Sequence, residues 1–369
     1  MSEPCAADRA PEYIRRIAPY VAGKPIDELA REFGLDAASI VKLASNENPR
    51  GASPAAARAV TAAMADVTRY PDSNGFALKD AIARRFGVDT REIVLGNGSN
   101  DILELVSLAF LRPGDEAVYS QYAFIVYPLA TQARGAQGRE VPARDFGHDL
   151  AAMRDAITPA TRVVFVANPN NPTGTWIAPG PLAQFVESVP RDVIVVLDEA
   201  YNEYLAPHDD ANATRWIARQ PNLVISRTFS KAYGLAGLRV GYGVMHADVA
   251  DLVNRVRPPF NVNSLAQAAA IAALGDQDYV AASRRLNDEG MRALRAGFDA
   301  LRLRHLESHG NFVLVDVGDG MRVFDRLLRA GVIVRPVANY GMPAWIRVTV
   351  GLPSENARLL EALPAALAP

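Results

Sequence analysis

Cys5 is the only cysteine in 369 residues. No intrachain disulfide can form, and no cysteine cluster can hold a metal. The five histidines, at 148, 208, 246, 305 and 309, are not read as a zinc set. Charge of one sign is also lacking: 39 Lys and Arg stand against 41 Asp and Glu, a net charge of −2. That leaves no electrostatic case for nucleic acid or a membrane surface. No apolar run is long enough to span a bilayer. Met1–Ala10 is polar, with Glu3 and Asp8, and lacks a signal core. A reducing, cytoplasmic setting is expected. Internal repeats are absent, and the alanine-rich tracts are helix formers rather than low complexity.

What is present is an ordinary globular composition, 49% hydrophobic. The length suggests one large domain and a smaller one. The densest chemistry lies in Ser226–Arg239, Ser-Arg-Thr-Phe-Ser-Lys-Ala-Tyr-Gly-Leu-Ala-Gly-Leu-Arg. An apolar run, Asn222–Ser226, leads into it. Lysine forms Schiff bases with aldehydes where its neutral form is favoured. Hydroxyls and an arginine fork suit a phosphate. Lys231, flanked by Thr228 and Ser230 and followed by Arg239, therefore suits pyridoxal 5′-phosphate, which combines both groups. A surface lysine after a strand is the competing reading.

The rest of the chain alternates strands and helices. Glu92–Leu95 reads as a strand, followed by the turn Gly96-Asn97-Gly98 and a helix opening near Ser99 and Asn100. Such a start binds phosphate through free N–H groups, or is simply a capped turn. Glu116–Tyr119 is a short strand, and Tyr122 just beyond it packs in a core or stacks on a planar cofactor. Val163–Ala167 is wholly apolar and runs into Asn168-Pro169-Asn170-Asn171-Pro172-Thr173-Gly174. Val193–Leu197 is equally apolar and ends at Asp198-Glu199-Ala200-Tyr201. A carboxylate there needs a partner: a nearby arginine, or a protonated pyridine nitrogen. Leu223–Ser226 then leads to Lys231, and Leu238–Val244 is a further strand. The pattern predicts an α/β fold with a mostly parallel, doubly wound sheet. Ligands bind beyond the carboxyl ends of such strands, so Asn171, Asp198 and Lys231 should converge there.

Asn171-Pro172-Thr173-Gly174, Asp198-Glu199-Ala200-Tyr201 and Ser226–Arg239, in this order, resemble the fold type I pyridoxal-phosphate aminotransferases. Within that family the chain most resembles the histidinol-phosphate aminotransferases. The shared features are Ala18-Pro19-Tyr20, Asn46-Glu47-Asn48-Pro49, Arg69-Tyr70-Pro71, Gly331–Arg335 and Ile346–Gly351. The resemblance spans about residues 10 to 360. It implies that Lys231 holds the cofactor and shuttles the proton, and that Asp198 pairs with the ring nitrogen. Asn171 and Tyr201 would bond the ring hydroxyl, and Tyr122 would stack on the ring. Ser99, Asn100, Thr228, Ser230 and Arg239 would hold the phosphate. Tyr70 would reach the phosphate of a second subunit, which makes the expected unit a homodimer. Tyr20, Arg335 and Arg347 would line the anionic end of the substrate, although Tyr20 reads equally well as arm packing.

The expected division is an arm over 1–50, packed on the small domain and the partner subunit, a cofactor domain over 51–258, and a small α/β domain over 259–369. The small domain could move toward the large one when substrate binds. The expected activity is ping-pong transamination of histidinol phosphate with 2-oxoglutarate, in histidine biosynthesis. An aromatic amino-acid aminotransferase is the alternative. A related lyase or decarboxylase, sharing the same ring-binding residues, is more distant. A cofactor-binding regulator is disfavoured by the lack of a DNA-binding module.

Overall fold

The computed structural model describes residues 5–19 and 23–368. Tyr20 therefore lies outside the described residues.

Twelve strands form three sheets among the described residues. In chain order they are β1 (Val41–Lys42), β2 (Ile93–Gly96), β3 (Glu116–Ser120), β4 (Gln137–Val141), β5 (Thr161–Ala167) and β6 (Ile194–Asp198). There follow β7 (Leu223–Thr228), β8 (Gly241–Met245), β9 (Phe312–Asp316), β10 (Val332–Ile333), β11 (Arg335–Pro336) and β12 (Trp345–Thr349). The central sheet has the order β2-β8-β7-β6-β5-β3-β4. Its pairs are parallel except those of β8, which runs antiparallel to β2 and β7. Every residue of β6 and β7 is buried. That is why Ile194–Leu197 and Leu223–Ile225 read as apolar runs rather than alternating ones. Core clusters lie on both faces of the sheet, and burial of each Val, Leu or Ile side chain contributes roughly 1.5–3 kcal/mol.

β4 and the helices Glu12–Arg15, Val126–Ala133, Leu150–Asp155 and Ala247–Val256 escaped the sequence reading. β4 is an exposed edge strand, Gln-Gly-Arg-Glu-Val, without an apolar face until Val141. Edge strands commonly carry such charges.

β9, β11 and β12 form the antiparallel sheet of the small domain. The segment around β1 belongs with it: Val41 pairs with Val332 and Lys42 with Ile333, in parallel. Leu29, Ile40 and Ala44 bury against Leu328 and Ile333. The arm thus packs on the small domain.

The boundary at 258/259 is corrected. The helix Ser264–Gly275 packs on Pro54–Ala63 and Phe76–Phe86 of the large domain. Its Ala266, Ala269, Ala270 and Ala273 join the core on one face of the central sheet. Alanine stripes let two helices approach closely, and composition does not say which helix will be the neighbour. The long helix Gln277–Ala300 then crosses to the small domain, where Leu294 and Phe298 are buried.

Candidate active site

A cavity of about 280 Å³ opens at the carboxyl ends of β5, β6 and β7, where the arm and the small domain close over the central sheet. Asn171, Asp198, Tyr201, Thr228, Ser230 and Lys231 all line it.

The loop after β5 is held by its own amides. The Asn170 N–H donates to the Thr175 carbonyl and the Gly174 N–H to the Asn170 carbonyl, each at 2.8 Å. Asn170 Nδ2 donates to the Tyr122 carbonyl, also at 2.8 Å. Gly174 has φ +77°, and a Cβ there would fall 2.2 Å from Ser308 Oγ. Only glycine fits that turn, which touches the small domain through the His309 N–H donating to the Gly174 carbonyl.

At the end of β6 the pleat sends adjacent carboxylates in opposite directions. Glu199 turns from the cavity to the guanidinium of Arg227, with contacts of 2.8 and 2.7 Å, in a fully buried ion pair. Asp198 lines the cavity. Its Oδ2 accepts a hydrogen bond from the Tyr127 hydroxyl at 2.9 Å. Its Oδ1 is buried and makes no hydrogen bond among the described residues. Burial pushes the Asp198 carboxyl up to about 6, against the opposing pull of Tyr127.

Lys231 donates from Nζ to the Ser45 carbonyl at 3.1 Å and lies 5.7 Å from the centre of the Tyr201 ring. Loss of water and then the charge of Arg347 lower its pKa to about 8. The amine is thus poised to act as a base or nucleophile near neutral pH. The Tyr201 hydroxyl accepts from Asn46 Nδ2 at 2.9 Å, and burial raises its pKa to about 12.

On one side of the cavity the helix Ser99–Phe110 begins at Gly98. Arg239 reaches the same place, with Nη1 donating to Ser230 Oγ at 3.2 Å and Nη2 to the Asn97 carbonyl at 3.4 Å. Thr228 Oγ1 bonds Ser230 Oγ at 3.0 Å. Ser99, Asn100, Thr228, Ser230 and Arg239 thus share one side of the cavity, as a phosphate cradle requires.

Arg335 and Arg347 form a second cationic side. They are direct partners across β11 and β12, and both line the cavity. Arg347 is buried. It donates to Asn171 Oδ1 and, at 2.7 Å, to the Ala44 carbonyl.

Two expected residues lie elsewhere. The Tyr122 ring does not line the cavity. It stacks on Phe146 at 5.7 Å and packs beside the cluster of Trp345 and Val337. Phe124, two residues on, supplies the aromatic at the cavity. Tyr70 is 83% exposed and stacks on Phe260 at 4.8 Å. Within one subunit it is no part of this cavity.

The sequence reading also missed Tyr127, Asn46 and Glu47 as cavity-shaping residues. Nothing in the sequence around Tyr127 marks it out from its neighbours. The structure stacks it on Phe165 at 4.7 Å and sets Phe124 edge-on to it, which fixes its hydroxyl on Asp198.

The residues present fit pyridoxal phosphate. A buried, unshared carboxylate oxygen awaits a cationic N–H, a lysine of lowered pKa stands in the same cavity, and a helix start with an arginine awaits a phosphate.

The family model for aminotransferase class I and II matches residues 38–363. The chain belongs to the class I and II aminotransferases. This aminotransferase is 61% identical to histidinol-phosphate aminotransferase 2 of Pseudomonas fluorescens, covering 96% of each chain. It is 59% identical to histidinol-phosphate aminotransferase 2 of Ralstonia nicotianae, covering 97% of each. Among solved structures it superposes on histidinol-phosphate aminotransferase from Sinorhizobium meliloti in complex with pyridoxal-5′-phosphate. That match has a TM-score of 0.90 and 30% identity, with 97% of each chain covered. The aminotransferase therefore has the fold type I architecture that its resemblance implied.

Proposed function

We propose that this aminotransferase carries pyridoxal 5′-phosphate on Lys231 and takes the amino group from histidinol phosphate, with 2-oxoglutarate as the acceptor. One observation carries the reading: Asp198, Lys231, the Arg239 side and the Arg335–Arg347 side all line a single cavity. Identity near 60% over almost the whole chain to histidinol-phosphate aminotransferases narrows the amine.

In this reading Asp198 Oδ1 accepts the ring N–H, and the positive ring lowers the carboxyl pKa from its raised value. Asn171 and Tyr201 hold the ring hydroxyl. The Ser99 N–H, with Asn100, Thr228, Ser230 and Arg239, holds the cofactor phosphate. Phe124, rather than Tyr122, covers the ring face. Bound pyridoxal phosphate supplies an aldehyde that condenses with amines and a ring that takes up an electron pair. Lys231 Nζ is the proton carrier. It removes the proton from the substrate carbon bearing nitrogen and returns it at the cofactor's carbon. Arg347 and Arg335 grip the substrate phosphate in one half-reaction and a carboxylate of the oxo-acid in the other. Tyr20 joins them in the same proposal.

The working unit is a homodimer in which Tyr70 reaches the phosphate of the other subunit's cofactor. The support is the exposure of Met64, Val67, Tyr70, Phe76 and Phe260. The first four lie close in sequence and Phe260 stacks on Tyr70, and such grouped apolar side chains call for a covering surface. A cytoplasmic location belongs to the same proposal. No helix among the described residues is long and apolar enough to cross a membrane.

The test is a spectral titration of the cofactor-loaded protein with histidinol phosphate and, separately, with phenylalanine. Histidinol phosphate should convert the lysine-bound cofactor band to the amine form at far lower concentration. The reverse preference would move the enzyme to aromatic amino acids. Absence of any lysine-bound band, with cofactor in excess, would overturn the role of Lys231.

A further inference from the structure

Two carboxylates line the cavity, Asp198 and Glu47, against four cations: Lys231, Arg239, Arg335 and Arg347. Asp198 is committed to the base of the site. Glu47 is not. Its Oε1 meets Lys42 Nζ at 3.0 Å, while Oε2 makes no hydrogen bond among the described residues. Glu47 lines the cavity from the arm, next to Ser45, whose carbonyl accepts from Lys231. Other acceptors nearby are taken. Asn171 Oδ1 accepts from Arg347, Asn46 Oδ1 from Thr349, and the Ser45 carbonyl from Lys231.

We propose that Glu47 is a specificity-determining residue that accepts a hydrogen bond from an N–H of the substrate's heterocycle at Oε2. The inference rests on the proposed histidinol-phosphate reading and deepens it. Such a substrate has three recognisable parts. The phosphate suits the arginines, and the amine engages the cofactor held by Lys231. The remaining part is an imidazole, with an N–H donor when neutral and two when protonated. An acceptor carboxylate favours the protonated ring as well. A phenyl ring offers no donor, so it would leave Oε2 unpaired on closure. Sites built around a hydrogen bond reject analogues that lack the donor. Lys42 has a separate part: its ammonium bonds Oε1 alone, so Oε2 does not depend on it.

The test compares two substrates with the same amine and phosphate and different rings, histidinol phosphate and phenylalaninol phosphate (2-amino-3-phenylpropyl phosphate). Steady-state kcat/KM is measured for the holoenzyme and for Glu47→Gln, Glu47→Ala and Lys42→Met. The wild type should prefer the imidazole substrate by about tenfold to a hundredfold. Both Glu47 variants should lose most of that ratio, chiefly through KM for histidinol phosphate, and the preference should weaken above the imidazole pKa. Lys42→Met should keep it. Two results would overturn the inference: an unchanged ratio in folded, cofactor-loaded Glu47 variants, or an equal loss of ratio in Lys42→Met, which would assign the effect to the ion pair. The parent reading fails separately, if the wild type turns over phenylalanine in preference to either phosphate ester.

Discussion

The Tyr127 hydroxyl donates to Oδ2 of Asp198 at 2.9 Å and leaves Oδ1 buried, with no hydrogen bond among the described residues. One oxygen orients the carboxylate and the other is kept for the ligand. Holding that carboxylate dry costs the cofactor-free fold. The Asp198 pKa rises from 3.8 to about 6 on burial. Below pH 4 both folded and unfolded chains are protonated there, and the penalty vanishes. As pH rises, the unfolded chain releases its proton first, so stability is lost between about pH 4 and 6. At pH 7 the penalty is roughly 3 kcal/mol.

Asp198→Asn should therefore raise the urea midpoint of the cofactor-free protein at pH 7 and leave it nearly unchanged at pH 4. The same variant should lose at least a hundredfold in turnover, because an amide does not keep the ring nitrogen protonated. Tyr127→Phe leaves Oδ2 unpaired as well. It should weaken cofactor binding about tenfold, as expected for a lost hydrogen bond to a charged group. Equal unfolding curves for Asp198→Asn and wild type at pH 7 would refute the desolvation argument.

Gly98 has φ +83°, and a Cβ built on it falls 2.2 Å from Arg239 Nη2. Gly98→Ala must strain the backbone by about 1 kcal/mol and push the guanidinium aside. Pyridoxal phosphate affinity should fall at least tenfold. Affinity for pyridoxal, which lacks the phosphate, should change far less. Equilibrium dialysis with both ligands separates these outcomes.

Arg347→Lys is not conservative. The guanidinium spans Asn171 Oδ1 and the Ala44 carbonyl while facing the cavity, and an ammonium cannot reproduce that fork. KM for histidinol phosphate should rise at least tenfold. Steady-state rates with each substrate varied in turn will show whether KM for 2-oxoglutarate rises with it, as a shared anion site requires.

Tyr70 is exposed in one subunit, and the proposal assigns it to the cavity of the other. Lys231→Ala and a Tyr70→Ala variant should each be nearly inactive alone. Mixed at equal amounts and allowed to exchange, half the dimers become mixed, each with one intact site. About a quarter of wild-type activity should return. No recovery, with exchange verified by mass, would remove Tyr70 from the shared site.

Much of the site was legible because three buried strands announce their own ends. The apolar runs of β5, β6 and β7 stop at Asn168, Asp198 and Ser226, where backbone and side chain must serve something other than the core. A buried carboxylate at such an end needs an arginine or a ligand. The pleat divides the two: Glu199 takes Arg227, and Asp198 keeps an oxygen for the cavity.

Local order along the chain, the apolar runs and the turn chemistry thus determined strand content, the parallel sheet and the convergence of Asn171, Asp198 and Lys231. These follow from chain direction and from the energy of burying apolar surface, both written in the sequence. Tertiary structure alone decided which neighbours meet. It chose Phe124 over Tyr122 for the cavity, brought Tyr127 to Asp198 across 71 positions, and set Asn46 on Tyr201 across 155. It also assigned the helix Ser264–Gly275 to the large domain. Contacts of that range depend on how whole elements pack, and packing is settled by shape at close approach rather than by residue type in a window.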